Sequence, residues 1–228
     1  MKAKGTFNSS IEEISILNNM VNGNTTNDNV LFKSIILLLC AKLEKFFKDS
    51  CKEYIENIIK LKPTKSLLSE TFIKEIILNE IKFIDDKTIE NYLTKSHYAE
   101  RSKVFSLIWD TKYKLENLNQ EEFAISITKN GSNVFSQVYK KIGFPNIIEE
   151  LEDFTFSDMY STTSYSIKDK INGVISMRHN IIHDDANPQI TPSDIKLNLA
   201  IFKSFVDQID ENLENSLKDM IQKTLDAI

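Results

Sequence analysis

The chain has 228 residues, enough for one large or two small domains, and a formal net charge of −5. That balance excludes a global basic field for gathering nucleic acid, so any such contact must come from a local patch or a partner. Only 5 glycines and 4 prolines occur, and no Gly/Ser-rich linker divides the sequence, which points to one domain over residues 1–228.

The first ten residues, MKAKGTFNSS, carry no apolar signal core. Apolar residues mostly recur every three or four positions and hairpin dipeptides are absent, so the fold class is all-α, a helical bundle. A short helix is predicted over about residues 11–21, followed by a polar break at 22–29. The next helix spans about 28–60, and its stretch FKSIILLLCAKLEKFF is apolar nearly all round, as in a central, buried helix. Pro63 ends it. Cys40 and Cys51 both lie within it, about 16 Å of helix rise apart, too far to bridge. They read as free, buried thiols suited to a reducing cytosol. The longest apolar run, residues 35–41, is too short to span a bilayer, so a soluble, cytoplasmic protein without membrane contact is expected.

Ser66 or Ser69 can cap a helix through about residue 82, and Asp85 a short one through about 95. Further helices fit about 99–116, 121–128 and 132–142, with Gly131 and Gly143 as punctuation and Pro145 opening a new piece. Phe105, Ile108, Trp109 and Tyr113 recur at helical spacing and read as core, whereas His97 reads as packing or surface. Residues 154–164 are aromatic and hydroxyl-rich, the composition of a loop. A helix over about 164–183 and a loop over 184–189 follow. Thr191-Pro192-Ser193-Asp194 then combines a capping residue, proline at the first helical position and an acid in the first turn; this last helix reaches about residue 225.

Arg178 interrupts an apolar stripe. At about 100° per residue, Ile167, Ile171, Val174, Ile175, Ile181 and Ile182 share one arc, Met177 lies at its edge, and Arg178 falls near its middle. Arginine is seldom buried without a partner. Glu44 falls between Cys51 and Ile55 in an apolar arc of its own helix, so the two charges are expected to meet. The pair can be purely structural, or a carboxylate that orients a working arginine. His179 and His183 are four apart and share a helix face, which also suits a zinc-binding pair, with Asp184, Asp185 or His97 as a third ligand; no Cys pair or HExxH supports that reading. Solvated imidazoles at a helix end are the plainer alternative.

The motif Arg178, polar His179, three residues, then His183, at the end of a helix and followed by a final long helix, resembles the HEPN superfamily. Residues 37–46, LLLCAKLEKF, resemble the opening helix of its RiboL-PSP type. The resemblance implies an all-α domain with a core of about 28–62 and 164–226, and further helices inserted over about 63–163. It also implies a homodimeric, metal-independent endoribonuclease, a toxin or antiphage defence effector that uses the RNA's own 2′-hydroxyl and needs no cofactor. Arg178 would then stabilise the phosphoryl group, His183 would act as general acid or base, His179 would assist, and Glu44 would support Arg178. An antitoxin or another defence protein is the implied partner. Some HEPN toxins carry a tyrosine two residues after the histidine; Asp185 stands there, which argues against control by modifying that tyrosine. A non-catalytic HEPN module that binds nucleotides or scaffolds a partner is the alternative. Arg178 and His183 lie roughly 140° apart on an ideal helix. They converge on one phosphate only if the helix ends near His183 or the cleft is shared between two protomers.

Overall fold

The computed structural model describes residues 1–85, 110, 131–157 and 161–226. Helix α1 (Lys2–Asn19) begins nine residues before the predicted start. Its buried positions, Ala3, Phe7, Ile14 and Asn18, keep helical spacing through a stretch whose polar composition hides it. Its cap is tertiary. The Glu53 carboxylate accepts from the Lys2 and Ala3 amides at 2.8 and 3.0 Å, satisfying N–H groups that the helix itself leaves open.

Helix α2 (Thr25–Leu61) is central, as its all-round apolar sequence predicts, and packs against α1 and the last two helices. It starts at Asn24, whose side chain accepts from the Asn27 amide at 3.3 Å, so the predicted polar break is shorter. Asp28 instead holds the turn before the helix, accepting from Asn22 and Gly23 at 3.1 and 2.8 Å. Gly23 has φ +91°, a left-handed backbone suited to glycine. The helix ends at Leu61, with Lys62 left-handed and Pro63 next.

After a 3-10 turn (Lys65–Leu67), α3 (Glu70–Asp85) is capped by Ser69, whose hydroxyl accepts from the Phe72 amide at 3.2 Å. Asp85 is the last described residue of this helix. Helix α4 (Gly131–Lys141) lies within one residue of its predicted span. Gly143 closes it with φ +102°, and a Cβ there would sit 2.6 Å from the Ser69 hydroxyl, so glycine is required twice over. The predicted helices at about 85–95, 99–116 and 121–128, and the readings of His97, Phe105, Ile108, Trp109 and Tyr113, lie outside the described residues.

Residues 154–164 contain a hairpin where a loop was expected. Strands β1 (Phe154–Ser157) and β2 (Thr162–Tyr165) pair antiparallel, Phe154 opposite Tyr165 and Ser157 opposite Thr162. Aromatic and hydroxyl residues suit the pleat, but no Asn-Gly or Asp-Gly announces the turn. The Phe154–Tyr165 end packs on the core, while Phe156 is 49% exposed.

Helix α5 (Ile167–Asp184) begins three residues after its predicted start and is capped by Ser166, which accepts from the Asp169 amide at 3.2 Å; Ser164 belongs to β2. Helix α6 (Pro192–Asp226) opens on a reciprocal capping box. The Asp194 carboxylate accepts from the Thr191 amide at 2.8 Å, and the Thr191 hydroxyl from the Asp194 amide at 3.2 Å. The core centres where α2, α4 and α6 meet. Phe47 stacks on Phe135 at 3.7 Å between ring centroids and touches Phe205 and Tyr139 at 5.5 Å. The fold is all-α apart from the small hairpin. Among the described residues no helix is long and apolar enough to cross a membrane.

Candidate active site

The candidate site lies where the second half of α5 crosses α2. Ile171, Val174 and Ile181 turn that face of α5 into the core, and Ile175 and Met177 pack at its margin. Ile182 departs from the predicted stripe and is 55% exposed. Arg178 sits within the stripe and meets Glu44: Nη1 donates to Oε1 at 2.5 Å. The side chains keep 35% and 23% of their surface in solvent, so the pair lies at the rim of the interface. One oxygen holds the guanidinium from the α2 side, and its outer face stays accessible.

Cys40 lies beneath this pair, its thiol 3.9 Å from the Val174 carbonyl oxygen. Burial pushes that thiol up to about 12, Arg178 pulls it back in part, and Glu44 adds to the rise. Cys40 is thus a neutral packing group, inert as a nucleophile at neutral pH. Cys51 is raised by burial as well, and both thiols are free and buried.

His179 and His183 are both exposed one turn apart, their ring centroids 4.3 Å from each other. The helix ends one residue after His183. Asp185 is left-handed at φ 50°, and its amide and that of Ala186 donate to the Asn180 carbonyl. Lys33 of α2 closes this end, donating to the Asp185 carbonyl at 2.9 Å and to its carboxylate at 2.6 Å. That hydrogen bond and the adjacent ammonium charge hold the Asp185 carboxyl below its usual range. The sequence reading missed Lys33. A signal existed: Lys33 and Glu44 are eleven residues apart, a net turn of only about 20°, so they share one face of α2.

Asp185, considered above as a metal ligand, is thus engaged by Lys33. Among the described residues no three His, Cys, Asp or Glu side chains are grouped as a metal site requires. The grooves between α1 and α2, lined by Ala3, Thr6, Ser10, Lys42 and Asp49 among others, include neither Arg178 nor the histidines.

An all-helical fold with an arginine, a polar residue and a histidine ending the penultimate helix defines a HEPN-type domain. The chain belongs to the RiboL-PSP-HEPN family, whose pattern matches residues 6–215. No curated protein and no solved structure matches the chain.

Proposed function

We propose that this protein is a metal-independent endoribonuclease that cuts RNA through attack by the substrate's own 2′-hydroxyl. The observation that carries the reading is Arg178 itself: a guanidinium fixed by Glu44 on its inner side and open outside, on the same helix end as two exposed imidazoles. The HEPN family includes ribonucleases and nucleotide-binding modules, which fits.

In this mechanism the 2′-oxygen forms a bond to phosphorus while the bond to the 5′-oxygen breaks. His183 is a general acid or base: it takes the 2′-hydroxyl proton or gives one to the departing 5′-oxygen. His179, in ring contact with His183, assists. Arg178 stabilises the negative charge that builds on the phosphoryl oxygens, and its planar fork suits two of them at once. The ribose already holds the nucleophile close to phosphorus, so positioning costs little. The products are a 2′,3′-cyclic phosphate and a 5′-hydroxyl.

The working unit in this reading is a homodimer. Arg178 and His183 start roughly 140° apart on a helix that ends one residue after His183, and a second protomer can supply the complementary group. Exposed Ile182 and Val30 flank the Lys33–Asp185 junction and support burial against a second copy. A cytoplasmic toxin or antiphage effector, held in check by an antitoxin or other defence protein, follows from family analogy. The occupied inner side of Arg178 gives the non-catalytic module, binding nucleotides or scaffolding a partner, its one point of support.

Incubating single-stranded RNA with the protein in excess EDTA separates the readings. We expect cleavage to cyclic phosphate ends, DNA left intact, and a loss of about 10²–10⁴ in rate for His183→Ala. Arg178→Ala should be at least as damaging, with incomplete rescue by Arg178→Lys. Cleavage abolished by EDTA, or unchanged in both alanine variants, refutes the mechanism; nucleotide binding without cleavage establishes the alternative.

A further inference from the structure

The geometry points to Lys33 as a positioning residue for His183, acting through the left-handed cap at Asp185. This rests on the ribonuclease reading for its effect on rate, and on the structure alone for its effect on geometry.

Two pairs of opposite charges fasten α5 to α2. Along α2 the order is Lys33 then Glu44; along α5 it is Arg178 then Asp185. Glu44 takes Arg178 and Lys33 takes Asp185, so the helices run antiparallel with each charge facing its opposite. Both contacts lie between α2 and the C-terminal half of α5 with its cap. Reversing the direction would bring Lys33 to Arg178 and Glu44 to Asp185. The charge order thus specifies the crossing as well as strengthening it.

The second fastening sits at the turn that carries His183. A left-handed conformation at a residue with a Cβ is unfavourable, and the last carbonyls of a helix lack partners within it. Lys33 answers both needs, because its ammonium bonds the Asp185 carbonyl and carboxylate together. Without it the last turn is free to fray. His183 lies two residues inside that turn, in contact with His179. Lys33 therefore fixes where the His183 imidazole stands relative to Arg178, without touching substrate itself.

The test uses the full chain with Lys33→Met, which keeps the apolar stem and removes the charge, and Lys33→Arg, whose fork can reach both Asp185 oxygens. The chain holds 3 histidines, so their ring protons are readily assigned by NMR. Helical circular dichroism and melting confirm that each variant folds. We expect a nuclear Overhauser contact between the His179 and His183 rings in the parent, its loss in Lys33→Met and its return in Lys33→Arg. With RNA, kcat should fall about 10- to 100-fold in Lys33→Met at nearly constant KM, and recover in Lys33→Arg. An unaltered ring contact in Lys33→Met overturns the proposal whatever the RNA result. If His183→Ala cuts RNA as the parent does, the ribonuclease reading falls, while the ring contact still decides the role of Lys33.

Discussion

Arg178 keeps about a third of its side chain in solvent, at 35%, and Glu44 holds it by one oxygen. A sealed ion pair broken by removing one partner costs about 3–5 kcal/mol. At the rim of the interface, solvent can take over part of the stranded charge. Glu44→Ala should therefore cost less, about 1.5–3 kcal/mol, the range of a hydrogen bond to a charged group. Urea unfolding of the parent and variant checks this: the midpoint should drop with an unchanged slope. This pair was legible in the sequence because each charge breaks an apolar stripe, and two breaks ask to be paired. Lys33 shares the Glu44 face of α2, but its partner Asp185 lies past the helix, where periodicity carries no information, so this second pair was not legible.

At the level of the element, α6 shows how far local chemistry reaches. Its Thr191–Asp194 box was readable from four consecutive residues because both partners lie within one turn. Hydrogen bonds from the Thr191 hydroxyl and amide hold the Asp194 carboxyl below its ordinary 3.8. A carboxyl depressed on folding contributes stability that is complete above the unfolded value and is lost as pH falls through the lower folded value. Asp194→Ala should thus destabilise at neutral pH, and the gap to the parent should shrink as the pH drops below about 3.8. Thr191→Ala, which removes the cap hydroxyl, should cost about 1 kcal/mol at neutral pH. Denaturant titrations at neutral and acid pH would measure both; a gap independent of pH contradicts this account. Helix α1 shows the limit of local reading. Glu53 caps it from another helix, so no window around residues 1–10 contains the start signal. The hairpin was missed for a related reason, since cross-strand pairing of hydroxyl residues leaves no local mark without a turn dipeptide.

On the scale of the whole molecule, the all-α fold and the central α2 follow from periodicity, since helices with a continuous apolar stripe must be covered. The proposed homodimer would bury the exposed apolar residues near the motif, Ile182 and Val30. Sedimentation at micromolar concentration should give twice the protomer mass of 26.3 kDa, and Ile182→Asp should return the protomer, because a charge inside a contact is costly to desolvate. A parent that sediments at the protomer mass counts against the homodimer.

Cys40 and Cys51 give this chain two clocks. Both thiols are buried, so an alkylating reagent must wait for the structure to open. Cys40 waits for α5 to lift from α2, since the Val174 carbonyl lies over it. Cys51 waits for the centre itself, beside Tyr139 and the hydroxyl pair it forms with Ser50. When closing outruns labelling, each rate reports the free energy of its own opening. Cys40 should be modified faster than Cys51, and Glu44→Ala should hasten Cys40 more than Cys51. Equal acceleration of the two would mean that the motif helix parts from α2 only when the whole core comes undone.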